Sequence, residues 1–174
     1  MWKKEEEREE TKQLIFNILK QVGIAIREEQ FKFRNCGNPH KPKLPKDNMA
    51  IYTFQYNNTF LKIGKCSAKN KSRFYSHHYH PSRNHSNLSK SILRDSDMNY
   101  LKSSQSEFLT DDTVGDWIKM NTTRIDILLD ANLSIFTINL IESILHSLYH
   151  PRYEGHLKLR NVSLDNREVD KIEN

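Results

Sequence analysis

The sequence predicts an α+β fold, a small three-stranded antiparallel sheet flanked by helices, with an N-terminal helical arm. Two short strand-forming runs stand on either side of Asn57-Asn58, the signature of a β-hairpin. A third run, Arg124 to Leu129, is rich in β-branched and apolar residues, and apolar residues at helical spacing fill the segments before and after these strands.

In chain order, the spacing of Leu14, Ile15, Ile18, Leu19 and Val22 predicts a helix over 2–22, acidic toward its start as the helix dipole favours. Arg27 to Arg34 mixes charges with Phe31 and Phe33 and reads equally as a helical turn or a strand. Gly37, Pro39, Pro42 and Pro45 make 35–48 a loop or linker. The hairpin then occupies 49–65: Ile51, Tyr52, Thr53, Phe54 and Tyr56 on one arm, Phe60, Leu61 and Ile63 on the other. A helix is expected from about Ser72 into the histidine cluster, and Leu88 to Leu101 is expected to be helical in part. Asn132 or Ser134 caps a last helix that runs to Tyr149 and stops before Pro151. The expected units are an arm and linker (1–48), one domain (49–154) and a polar tail (155–174).

The 174 residues suffice for one core, modest beside a wet surface, since only 36% are hydrophobic and 28% are charged. No apolar run approaches the roughly 20 residues of a membrane span. Two cysteines, Cys36 and Cys66, and a charged N-terminus lacking a secretory apolar stretch predict a cytoplasmic chain without a disulfide framework. The net charge of +5 is unevenly spread: no Asp or Glu falls between Asn48 and Arg94, a segment rich in Lys, Arg and His. Such a field suits a polyanion, and Lys65, Lys69, Lys71 and Arg83 are candidate DNA contacts. A solvated basic face explains the charge equally well.

Glu142 stands out within the last helix. Phe136, Leu140, Ile144 and Leu148 form one stripe, and Glu142 falls on a second face with Ile135, Ile138 and Tyr149. A buried acid needs a counter-ion or a metal, and a salt bridge, for instance with His146, is the commoner solution. The run His77-His78-Tyr79-His80 lacks the cysteine pairs and spacing of a structural zinc site.

Taken together, Ala50-Ile51-Tyr52, Lys62-Ile63-Gly64, Arg73 in Ser72-Arg73-Phe74 and Glu142 in Leu140-Ile141-Glu142-Ser143 resemble the GIY-YIG nuclease family over residues 49–153. The order is also similar: hairpin, basic helix, connector, strand, acid-bearing helix. Ala replaces the first motif's Gly, and Lys62 replaces the second motif's Tyr, as in a restriction-endonuclease branch of the family. The resemblance implies a DNA endonuclease, as in restriction or phage defence. Tyr52 would orient the attacking water, Lys62 and Arg73 would meet the phosphate, and Glu142 would hold one Mg²⁺ or Mn²⁺. His77 or Tyr79 would assist near the nucleophile. Two other readings stay open: a non-catalytic DNA-binding module on the same fold, and an interaction domain that forms a homodimer through its N-terminal helix. Catalysis by Tyr52 and Lys62 together requires both side chains on one face of the hairpin. A plain two-residue turn at Asn57-Asn58 forbids this, whereas a three-residue loop or a bulge allows it.

Overall fold

The computed structural model describes residues 2, 4–68, 71–81, 87–95, 98 and 109–153, with backbone alone at 72, 73 and 87. The expected tail at 155–174 and the candidate contacts Lys69 and Arg83 lie outside the described residues.

The chain runs α1 (Glu5–Gln21), a 3₁₀ turn (Glu28–Gln30), β1 (Phe31–Asn35), β2 (Asn48–Tyr56), β3 (Thr59–Cys66), α2 (Ser72–Tyr75), α3 (Asn87–Arg94), α4 (Val114–Asn121), β4 (Thr123–Asp130) and α5 (Ile135–Tyr149). The fold is α+β with an antiparallel sheet, but among the described residues the sheet has four strands rather than three, in the order β1-β4-β2-β3. The added strand is β1, whose Phe31 and Phe33 alternate with charged Lys32 and Arg34. Its partner is β4, with Phe31 opposite Leu129 and Arg34 opposite Asp126. The segment expected as arm and linker therefore contributes α1 and β1 to the same sheet-centred fold.

Both faces of the sheet are covered, so two cores form. On one face Met49, Ile51, Phe60, Ile63, Ile125, Ile127 and Leu129 pack against Ile15 and Leu19 of α1 and Ile138, Ile141 and Leu145 of α5. Trp2 closes this core, its indole N–H directed at Thr11 Oγ1 (3.1 Å) and Tyr149 Oη (3.0 Å). On the other face Tyr52, Phe54 and Leu61 pack against Phe74 of α2, Leu88 and Ile92 of α3, and Val114 and Ile118 of α4. Ser134 caps α5 by accepting from the Phe136 N–H, and His150, left-handed at φ 43°, ends that helix ahead of Pro151.

Hairpin register decides what can meet. Asn57 and Asn58 both have positive φ (41° and 63°), a tight two-residue turn that pairs Tyr56 with Thr59. Unmodified, that register would send Tyr52 and Lys62 to opposite faces. One extra residue, Leu61, interrupts the ladder between the pairs Gln55–Phe60 and Phe54–Lys62. This bulge restores Lys62 to the face that carries Phe54 and Tyr52.

Candidate functional site

Rows across the sheet set out the chemistry. One row runs Gly64, Tyr52, Asp126, Arg34 across all four strands; the next runs Lys62, Phe54, Arg124. Within its row Tyr52 has Asp126 on one side and Gly64, a residue with no side chain, on the other. Its ring fills the space above Gly64, where a β carbon would fall 2.5 Å from Tyr52 Oη. His78 (ring centroids 4.5 Å) and Phe74 (6.4 Å) cover the ring, leaving Tyr52 1% exposed.

Lys62 is 9% exposed. Its ammonium lies 3.5 Å from the Tyr153 carbonyl oxygen. The chain after α5 reaches this point by running along the outer edge of β3, where the N–H groups of Arg152 and Tyr153 bond to Phe60 O and Leu61 O (both 2.9 Å). Asp95, just after α3, clamps the segment: it accepts from Arg152 Nε (2.6 Å), Arg152 Nη2 (2.9 Å) and the Tyr153 hydroxyl (2.5 Å). Burial works against the Asp95 charge, but these donors hold its carboxyl below the usual carboxylate range.

Glu142 reaches β3 from the other layer. It pairs with Lys65, the residue after Gly64, whose side chain points to the α5 face, while His146 one turn on bonds to Ile63 O (3.2 Å). Lys65, a candidate DNA contact, is thus the counter-ion of Glu142. The phenol of Tyr52 and the carboxylate of Glu142 approach β3 at consecutive residues, from opposite faces. Arg73 lies in α2, which packs on β3 and against Tyr52 through Phe74. Lys71, half-buried, directly precedes that helix, and His77, also half-buried, follows it in a turn. The helix expected to run into the histidine cluster spans only Ser72–Tyr75.

Tyr79 does not join Tyr52. Its hydroxyl accepts from Arg124 Nη1 (2.9 Å) and lies 3.2 Å from His40 Nδ1. His40 Nε2 sits 2.7 Å from the Thr122 carbonyl. A carbonyl only accepts, so Nε2 carries the proton and Nδ1 receives the Tyr79 O–H. Burial holds the His40 imidazole neutral, down to about 4. Burial likewise pushes the Tyr79 phenol up. Arg124 also donates to Asp126 Oδ1 (3.0 Å), and Asp126 Oδ2 receives Arg34 (2.8 Å) and the Cys36 thiol (2.9 Å). Burial and the neighbouring Asp126 push that thiol up to about 12. Burial alone would lower the Arg124 guanidinium; Asp126 and Tyr79 reverse this and hold it charged. The same guanidinium lies 4.5 Å from the Phe74 ring centroid and 5.7 Å from that of Tyr52.

Sequence reasoning missed this buried network and also His78. A readable signal existed for the network: Arg124 and Asp126 are opposite charges two residues apart, hence on one face of a strand. Among the described residues, no group of three or more His, Cys, Asp or Glu is arranged to hold a metal. No protein-family model, curated protein or solved structure matches the chain.

Proposed function

We propose that the protein is a metal-dependent DNA endonuclease that hydrolyses a phosphodiester over the end of β3. The observation that carries this reading is the bulge at Leu61, which sets Tyr52 and Lys62 on one face beside Gly64 despite a turn that would separate them. The order hairpin, α2, β4, α5 supports it, with Arg73 on a helix packed against Tyr52, while Glu142 meets the neighbouring residue Lys65 from the opposite face.

In this reading a water attacks phosphorus and gives up its proton to solvent, the P–O bond to the leaving oxygen breaks, and the departing oxyanion takes a proton from solvent. Tyr52 orients the water; a phenol of pKa about 10 is a poor base unless cations stabilise its anion. Lys62, on the same face, and Arg124 beneath the ring supply positive charge. The planar Arg73 fork suits two phosphate oxygens. Glu142, paired with Lys65 on the other face of β3, is the carboxylate that would hold one Mg²⁺ or Mn²⁺. The bound ion would supply electrostatic stabilisation of the leaving oxygen.

A second reading, a non-catalytic DNA-binding module, is favoured by the burial of Tyr52. Incubating purified protein with supercoiled plasmid and single-stranded oligonucleotide, in Mg²⁺, Mn²⁺ or chelator, separates the two. Metal-dependent nicking that disappears in Glu142→Gln supports the enzyme; binding without cutting under every metal supports the module.

A further inference from the structure

The loop between β1 and β2 is held by more bonds than a linker needs. The Asn38 amide donates to Met120 O (2.8 Å), and the His40 N–H bonds to Lys119 O (3.3 Å), both at the end of α4. Cys36 and the His40 ring enter the buried Arg124–Asp126 network. Farther along, Tyr75 at the end of α2 brackets Leu44: its hydroxyl receives the Leu44 N–H (3.0 Å) and lies 3.4 Å from the Leu44 carbonyl. Leu44 itself is buried in the same core as Tyr52 and Phe74.

Between and beyond these anchors Lys41, Lys43 and Lys46 are exposed. No hydrogen bond or ion pair engages their ammonium groups among the described residues, and Asp47 is the loop's one acid. The anchors fix the backbone against α4 and then α2, both on the face of the sheet that carries Tyr52 and Lys62. Ordering three cations in advance removes part of the entropic cost of gripping a rigid polyanion. Pro42 and Pro45, flanking Lys43-Leu44, stiffen the segment further.

We propose that this loop is a DNA-backbone clamp, in which Lys41, Lys43 and Lys46 contact phosphates flanking the duplex segment presented to β3. The inference rests on DNA being the substrate. It extends the basic field, which the sequence confines to 48–94, onto a segment that precedes the hairpin.

The test is fluorescence anisotropy of a labelled 20-base-pair duplex, in chelator, across a NaCl series. Each phosphate contact contributes about 0.9 to the slope of log K against log salt. The variant Lys41→Gln, Lys43→Gln, Lys46→Gln is expected to lose about 2–3 from that slope and to bind roughly tenfold weaker at moderate salt. Replacing the same three residues by Arg should keep the wild-type slope, which separates charge from folding. Lys20→Gln, on α1 behind the opposite face, should leave the slope unchanged. An unchanged slope in the triple Gln variant, with wild-type protein binding normally, overturns the clamp and leaves the nuclease reading intact. Absence of salt-dependent binding by wild-type protein overturns both.

Discussion

Tyr52 and Gly64 interlock: the phenol ring fills the volume that any side chain at residue 64 would need, with Oη, Cζ and Cε2 all within 2.7 Å of the β-carbon position. The glycine of Lys62-Ile63-Gly64 is required here by packing, since its backbone is not in the left-handed region. Gly64→Ala should therefore displace a buried aromatic ring, at a cost of about 1–3 kcal/mol for overpacking. Tyr52→Phe keeps the ring and should fold as wild type while slowing cleavage by about 10²–10⁴-fold. Urea denaturation and single-turnover cleavage of both variants check this. A stable Gly64→Ala protein with wild-type cleavage would show that the ring position is immaterial.

At β3, Glu142 is shared between Lys65 and, in the proposed reaction, a divalent ion. Glu142→Gln should abolish cleavage with little change in DNA affinity, because the amide keeps the shape and loses the charge. Lys65→Gln removes the competing cation and should lower the Mg²⁺ concentration needed for half-maximal rate. A metal titration of the two variants checks both outcomes; a higher Mg²⁺ requirement in Lys65→Gln would contradict the competition.

Arg124 and Lys119 offer a contrast between a buried and an exposed ion pair. Arg124 and Asp126 are fully buried, whereas Lys119 and Asp116 have side chains 36% and 80% exposed. Arg124→Met leaves Asp126 with one guanidinium and Tyr79 without a donor, and should cost about 3–5 kcal/mol. Lys119→Gln should cost less than about 1 kcal/mol. Urea midpoints measured side by side decide the matter, and equal small losses would mean that the network contributes little.

His40 gives the fold a pH dependence of defined sign. Its folded value, about 4, is depressed from 6.5, so the unfolded chain binds the extra proton between those values. Stability from this group is complete above pH 6.5 and is lost as pH falls toward 4, by up to about 3 kcal/mol. Asp95, whose carboxyl is also lowered, adds a loss that begins below its ordinary 3.8. His40→Gln should flatten the upper part of the curve, read as urea midpoint against pH from 7 to 4.5. A curve as steep as wild type in that window would assign the effect to other groups.

Sheet residues on β2, β3 and β4 were legible because their apolar runs are bounded by turn signals, and α5 because Ser134 and Pro151 bracket its periodicity. β1 was ambiguous: five residues of alternation between charged neighbours fit a helical turn as well as a strand. α4 was missed because Val114, Gly115 and Ile118 make a short apolar face around a glycine, a weak signal for a helix. Gly115 has a local reason that only the fold reveals, since a β carbon there would meet the Tyr79 carbonyl at 2.2 Å. Of the candidate site, the placement of Tyr52 and Lys62 on one face turned on a bulge that no residue type announces. The Arg124–Asp126 network stayed hidden because charges in a strand read as solvent-facing, whereas β4 lies between two neighbours with both faces covered.

The position of β4 also has a consequence for biosynthesis. β1 pairs with β4, Phe31 with Leu129, so its place in the sheet exists only after nearly a hundred further residues have been made. The β2–β3 hairpin, closed by a two-residue turn, can form at once. A ribosome-bound chain that has not yet released Asp130 therefore carries two strand edges awaiting the same partner, on β1 and on β2. An unpaired edge is a template for pairing with another chain, so β1 and β2 are open to it until β4 has been made.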